Sequence, residues 1–334
     1  MKEYNIAIAG VTGAVGQEFL NVLEDRKFPV KSIRALASSR SAGKKVRFKG
    51  QNIAVEEMTS DSFKGIDIAL FSAGASRSKD FAPHAVKAGA VVIDNSSAFR
   101  MDADVPLVVP EVNPEDVFKH QGIIANPNCS TIQMVVALNP IHKYAEIIRV
   151  CVATYQAVSG TGMKAIQELE DQVHAHVHKG PMKIETYPYQ IAFNVIPQVD
   201  VFLDTGYTKE EMKMVHETKK IMHAPNIAVT ATCVRVPVFR AHSESVNITT
   251  KKKISREKAF ELLRNAPGIK LHDDPNNKVY PMPLHVSGDY NVWVGRVRED
   301  ISQPNGIEMW VVADQLLKGA ALNAVQIAEV LVKG

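Results

Sequence analysis

The chain has 334 residues, 46% of them hydrophobic and 22% charged, with a formal net charge of +3 at pH 7. That length allows two domains with a large core, and the composition is ordinary for a soluble globular protein. A charge this small, with no basic run beyond Lys251-Lys252-Lys253, argues against a nucleic-acid partner, and no apolar run reaches the length of a membrane span.

The N-terminus enters a strand pattern at Tyr4 with no signal-peptide hydrophobic region ahead of it. Cys129, Cys151 and Cys233 are too few for a disulfide framework, so a reducing cytoplasm is expected. Asn5-Ile6-Ala7-Ile8-Ala9 is a buried-strand pattern, followed at once by Gly10-Val11-Thr12-Gly13-Ala14-Val15-Gly16 and a helix face of Phe19, Leu20 and Leu23. Strand, glycine turn, helix is the dinucleotide-binding arrangement, with the helix N-terminus toward the phosphates. The spacing is G-x-x-G-x-x-G rather than the commoner G-x-G-x-x-G, and a glycine turn that binds nothing stands as the alternative.

The next strand, Ile33-Arg34-Ala35-Leu36, leads to Ala37-Ser38-Ser39-Arg40-Ser41-Ala42-Gly43-Lys44. No carboxylate is present there to hold a ribose 2′-hydroxyl. Hydroxyls and cations suit a 2′-phosphate instead, which predicts NADP; a solvated basic loop is the plain alternative. Ser72 and Gly74 follow the strand 66–71, where small residues leave room for a cofactor. Arg100 follows the strand 90–94, at the expected ligand edge.

A short apolar run, Ile123-Ile124-Ala125, leads into Asn126-Pro127-Asn128-Cys129-Ser130-Thr131 and then a helix-periodic segment. Cys129 therefore stands where a strand ends and a helix begins. Unpaired backbone N–H groups and the positive end of the helix dipole favour a thiolate there. Alone, the turn reads equally well as a structural cysteine in a core.

In the second half a strand over 150–155 ends in Gln156-Ala157-Val158-Ser159-Gly160-Thr161-Gly162. Gln156 can bind an acyl group or serve as a buried structural amide. A helix over 163–179 carries His174, His176 and His178, whose alternate spacing splays them, so no metal site is expected. A helix from the capping box Thr208-x-x-Glu211 to about residue 223 places Glu217 and Lys220 on one face. From spacing alone that pair reads as an exposed salt bridge. Strands are expected over 227–238 and 245–249, with Arg235 and His242 near their junction, then a helix over 255–265, strands over 291–297 and 308–312, and a final helix over 316–332. The expected fold is α/β: an N-terminal Rossmann-like doubly wound sheet in 1–128, joined by the C-terminal helix 314–334, and an α+β catalytic and dimerisation domain with a mainly antiparallel sheet in 129–313.

Taken together, these motifs closely resemble aspartate-semialdehyde dehydrogenases of the bacterial, NADP-using type over essentially the whole chain. The resemblance rests on the Gly10–Gly16 turn, Ser-Ser-Ala-Phe-Arg100, Pro-Asn128-Cys129-Ser-Thr, Tyr-Gln156-Ala-Val-Ser-Gly160, Glu217-Thr-Lys-Lys220, Cys-Val-Arg235-Val and Arg-Ala-His242-Ser. It implies reversible, NADPH-dependent reductive dephosphorylation of L-aspartyl-4-phosphate to L-aspartate 4-semialdehyde, on the way to lysine through diaminopimelate, threonine, methionine and isoleucine. It also implies Cys129 as nucleophile, His242 as acid/base and Gln156 positioning the acyl intermediate. By the same resemblance Arg235 takes the substrate carboxylate, Glu217 its amine, and Arg100, Asn128 and Lys220 the phosphate. Gly10, Thr12, Gly13, Ala14, Val15, Gly16, Ser38, Ser39, Arg40, Ser41, Ser72, Gly74, Ser159, Gly160 and Gln315 form the implied cofactor set. Asp314-Gln315 departs from relatives that often carry Asn. A homodimer is implied through the second domain. Two rivals remain: an N-acetyl-γ-glutamyl-phosphate reductase, which would resemble Pro-Gly-Cys-Tyr-Pro at the thiol, and a non-catalytic NADP-binding sensor.

Overall fold

Asn5-Ile6-Ala7-Ile8-Ala9 offers no polar face, so it must sit in a sheet covered on both sides. The structure, a computed structural model, describes residues 2–334 and places this run as β1 (Tyr4–Ala9) inside a seven-stranded sheet. The sheet order is β3 (Lys45–Phe48), β4 (Gln51–Glu57), β2 (Val30–Ala37), β1, β5 (Ile68–Phe71), β6 (Val91–Asp94) and β7 (Ile123–Ala125). Every pairing is parallel except β3 with β4. That hairpin, with its exposed–buried alternation in β3, is absent from the sequence reading. α1 (Ala14–Asp25) crosses from β1 to β2, and α2 (Ala75–Lys87) from β5 to β6. The chain leaves β1 toward β2 on one side and returns on the other with β5, which opens a crevice at the carboxyl ends of β1 and β5.

The chain divides into two units. The first runs to Asn128 and resumes at Gly319; the second is Cys129–Lys318. In the first, α8 (Leu322–Lys333) lies against α1 and β6. It is fastened by Asn323 Nδ2, which donates to Val108 O (2.9 Å) and Asn126 Oδ1 (2.7 Å), and by an Arg26–Glu329 ion pair at 2.6 Å. The helix expected over 316–332 is interrupted: Leu317–Ala321 forms a π-helical turn, and regular helix begins only at Leu322.

The second unit holds a six-stranded mixed sheet. Its order is β11 (Ile269–Leu271), β12 (Val292–Glu299), β13 (Gly306–Ala313), β10 (His242–Thr250), β8 (Ile147–Gln156) and β9 (Ala228–Arg235). The two outer pairs are parallel and the inner three antiparallel. α3 (Cys129–Ala145) is buried along almost its whole length and lies on this sheet beside α5 (Lys209–Ile221) and α6 (Arg256–Arg264). α4 (Met163–Val177) and the short α7 (Pro283–Val286) complete the helices. Alternate residues of β8 and β10, such as Cys151, Ala153, Ser245 and Asn247, point to the opposite sheet face, which stays half-exposed. No helix among the described residues is long and apolar enough to cross a membrane.

Candidate active site

In the first unit the glycine turn is shaped by contact as well as by conformation. Gly10 has φ +89°, and a Cβ on it would stand 2.3 Å from Ser72 O. A Cβ on Gly16 would stand 2.2 Å from Gly10 O, so only glycine lets α1 approach the turn so closely. α1 starts after Gly13, an N-cap with no side-chain hydrogen bond, and its first turn has no acidic residue. Its leading N–H groups, those of Ala14 and Val15 included, therefore have no side-chain cap and favour an anion. A cavity of about 190 Å3 opens here, lined by Gly10, Thr12, Gly13, Ser38, Ser72 and Arg77 among others. These features fit a dinucleotide. Ser39, Arg40 and Ser41 form a 3-10 turn after β2 and do not line the cavity. Its cation is Arg77 on α2, a residue that sequence reasoning missed. Gly74 is the N-cap of that helix.

Arg100, expected at the ligand edge, is buried. Its Nε donates to Asn126 O and its Nη2 to Asn95 O, both at 2.9 Å, while Asn126 Nδ2 donates to Asn95 Oδ1 at 2.6 Å. The loop after β6 is thus laced to the strand end that leads to Asn128, itself buried.

In the second unit the expected residues gather at one edge of the sheet. β8 and β9 run parallel with Gln156 opposite Arg235, and β10, antiparallel to β8, begins at His242 opposite Ala313. α3 hands over to β8 at its C-terminus, so it runs back along the sheet and brings Cys129, its first residue, to the same edge. Gln133, one turn into α3, donates from Nε2 to His242 O at 3.4 Å.

His242 is fully buried, and its Nδ1 accepts from Ala157 N–H at 2.9 Å. A ring nitrogen that accepts carries a lone pair, so the neutral ring holds its proton on Nε2. Burial first, and the Arg235 charge second, hold the imidazole well below its usual pKa. Nε2 is buried with no hydrogen-bond partner among the described residues. His242 is therefore a neutral ring presenting an unused N–H donor. Two residues along β10 on the same face, burial drives the Glu244 carboxyl well above its usual range.

Arg235 is buried; its Nη1 donates to Ala157 O at 2.7 Å, its guanidinium lies 5.8 Å from the Tyr187 ring, and its Nε is buried with no partner among the described residues. Gly160 packs against both: a Cβ there would meet His242 Nε2 at 3.1 Å and Arg235 Nη1 at 3.2 Å. Gln315 is buried; it accepts from Ala241 N–H at 2.8 Å and donates to Ser159 Oγ, bracing the residues beside His242. Asp314 is buried and paired with Arg240.

Glu217 is 1% exposed, so this carboxylate does not lie on the solvated face that spacing favoured. α5 lies along β9 and turns this face inward. Gln156 is 2% exposed and its amide is held at both ends, by Thr154 and Glu210.

Two domain families match the chain: semialdehyde dehydrogenase, NAD binding domain, over residues 5–120, and semialdehyde dehydrogenase, dimerisation domain, over residues 138–318. The chain is 60% identical to an aspartate-semialdehyde dehydrogenase of Aquifex aeolicus, covering 99% of this chain and 98% of that one. It resembles the crystal structure of aspartate semialdehyde dehydrogenase II from Vibrio cholerae complexed with ASA, with TM-score 0.97 and 50% identity over 100% and 99% of the two chains. It also resembles aspartate semialdehyde dehydrogenase with NADP from Candida albicans, with TM-score 0.77 and 27% identity over 99% and 98%.

Proposed function

The chain belongs to the aspartate-semialdehyde dehydrogenases, and from that premise we propose how its own residues carry the reaction. It reduces L-aspartyl-4-phosphate reversibly to L-aspartate 4-semialdehyde and phosphate, in the biosynthesis of lysine, threonine, methionine and isoleucine.

Cys129 attacks the acyl carbon as thiolate. The positive end of the α3 dipole, at whose first turn Cys129 stands, favours that form. The new C–S bond forms to give a tetrahedral oxyanion, whose collapse breaks the C–O bond; the electron pair leaves with phosphate, which takes up a proton from solvent to depart as hydrogen phosphate. NADPH, when bound, supplies the hydride that reduces the resulting thioester. The C–S bond then breaks and returns its electrons to sulfur. Negative charge develops on the same substrate oxygen in both additions, and the His242 Nε2–H is a donor already in place for it. Each oxyanion collapses by expelling phosphate or thiolate, so the forward cycle requires a hydrogen-bond donor at His242 rather than a base. This refines the acid/base role drawn from the resemblance.

Arg235 takes the α-carboxylate, to which its unpartnered Nε is suited; Glu217 takes the free amine, for which the acylated amine of the glutamyl analogue has no use. Arg100, Asn128 and Lys220 receive the phosphate, and Gln156 positions the acyl group. Residues 1–128 with the C-terminal helix hold NADP, and 129–313 carry the chemistry. The protein works as a homodimer. The half-exposed sheet face of the second unit, together with the exposed Phe193, Val195, Val201 and Phe202 of the same unit, supplies apolar surface for a second copy. A cytoplasmic location is in keeping with three free cysteines, one of them the nucleophile.

The observation that carries the reading is the sheet edge that holds an unused His242 N–H at the start of β10, toward which α3 runs back to start at Cys129. The test is NADP reduction by L-aspartate 4-semialdehyde, with and without phosphate, beside N-acetylglutamate semialdehyde. A phosphate-dependent rate with the first alone is expected. Turnover that ignores phosphate, or a preference for the acetylated aldehyde, refutes it.

A further inference from the structure

Gln156 does not hang free at its sheet edge. Its Nε2 donates to Glu210 Oε1 at 3.2 Å, and its Oε1 accepts from Thr154 Oγ1 at 3.1 Å. Glu210 reaches it from the first turn of α5, where the Thr208–Glu211 capping box closes the helix start. Glu211 also accepts from Cys233 N–H of β9 at 2.9 Å, so that turn is pinned to the sheet before Glu210 extends to β8. The other Glu210 oxygen lies 3.0 Å from Lys213 Nζ, which in turn lies 2.9 Å from Asp200. Glu210 and Glu217 are seven residues apart, two turns along one face of α5. The helix that carries the carboxylate assigned to the amine thus carries a second one, buried, touching the amide assigned to the acyl group.

We infer that Glu210 is a positioning residue for the reaction: its carboxylate fixes the direction of the Gln156 amide and so places the amide's remaining N–H for the acyl group. The inference rests on the role given to Gln156 above. An amide is nearly symmetric in shape, and its two ends differ only in what they donate or accept. A carboxylate accepts only, so the amide nitrogen must face Glu210 and the oxygen must face the Thr154 hydroxyl. Lys213 is the ion-pair partner of that carboxylate, at 3.0 Å. Burial opposes the ammonium, but Glu210 and Asp200 outweigh it and push Lys213 up to about 12. With Glu210→Gln, the neighbour could donate as well as accept, and the Gln156 amide could settle either way round with almost no change in volume.

The experiment is a double-mutant cycle on the full enzyme with E210Q, Q156A and E210Q/Q156A, reading kcat, KM for aspartate semialdehyde, NADPH affinity and Tm. E210Q is expected to lower kcat about ten-fold, the scale of a sub-ångström misplacement, with KM and NADPH affinity within about two-fold of wild type. Q156A is expected to lose at least as much, and the double variant no more than Q156A alone. T154V, acting on the other end of the amide, should be silenced by Q156A in the same way, and it serves if E210Q does not fold. A wild-type kcat for E210Q, or a loss that multiplies undiminished with that of Q156A, overturns the proposal while leaving Gln156 in its role. A wild-type kcat for Q156A withdraws Gln156 from the reaction and the proposal with it.

Discussion

Gly160→Ala tests the crowding of the site by a single carbon. Gly160 lacks the left-handed backbone that would strain alanine, so the substitution acts only through its Cβ. That carbon would stand 3.1 Å from His242 Nε2 and 3.2 Å from both His242 Cε1 and Arg235 Nη1. Restoring a normal contact of about 3.5 Å requires the imidazole or the guanidinium to move by roughly 0.4 Å. If misplacement by 1 Å costs roughly 100-fold, this shift costs about six-fold in kcat/KM. Neither side chain can retreat freely, because Ala157 holds both through its N–H and C=O. Gly162→Ala is the matched control. Gly162 has φ +104° and ψ −175°, a region reserved to glycine, with open space around its Cβ. It should cost on the order of 1–3 kcal/mol of stability and several degrees of Tm while folded enzyme keeps its kcat/KM. Steady-state rates beside thermal melts separate the two. A Gly160→Ala enzyme with wild-type kcat/KM, or one that loses only Tm, refutes this picture of His242 and Arg235.

Three further outcomes are expected. Arg77→Ala should weaken NADPH more than NADH in a direct titration, and by more than Arg40→Ala does; the reverse ranking returns the 2′-phosphate to the 3-10 turn. Because the folded state holds His242 well below its usual pKa, the unfolded chain binds a proton there below about pH 6.5 that the native state refuses. Native stability due to this residue is complete above that pH and falls as the pH drops, by up to about 1.4 kcal/mol per unit, so His242→Asn should flatten the acid side of a stability–pH curve. An unchanged slope would mean that His242 titrates alike in both states. Cys129→Ala should abolish turnover and leave NADPH binding intact by fluorescence titration; retained turnover removes it as nucleophile.

The parts legible in the sequence were those written locally. A strand, a turn and a helix start within a dozen residues placed Cys129, and the same signals placed Gly10–Gly16 and the Thr208 cap. Parts made by distant chain were not legible. Glu217 and Lys220 read as a solvated pair because nothing near them in sequence announces that α5 lies on β9. The tautomer of His242 is set by an amide 85 residues away, and Arg77 shares a cavity with Ser38 only because the sheet order sets β2 and β5 on either side of β1. Lys45 and Arg47 gave β3 a polar face, which hid an edge strand of the nucleotide-side sheet. The alanine-rich C-terminal run is interrupted only by Gly319, and a lone glycine is tolerated inside a helical pattern, so the pattern could not show the π turn that precedes α8.

The second unit is one unbroken stretch, whereas the first is split, its last helix drawn from residues that follow the whole of the second unit in the chain. On the ribosome, then, the later-encoded unit is the first to be complete. When residue 318 is added, Asn323 has not yet reached Val108 and Asn126, and Glu329 has not yet reached Arg26. The nucleotide-side sheet must wait, its α8 site uncovered, through the translation of 190 residues of its neighbour, counting 129 to 318. Nascent chains stalled short of α8 should show a protease-resistant second unit and a susceptible first one. A nick or early stop ahead of α8 would therefore damage the unit encoded before the second one.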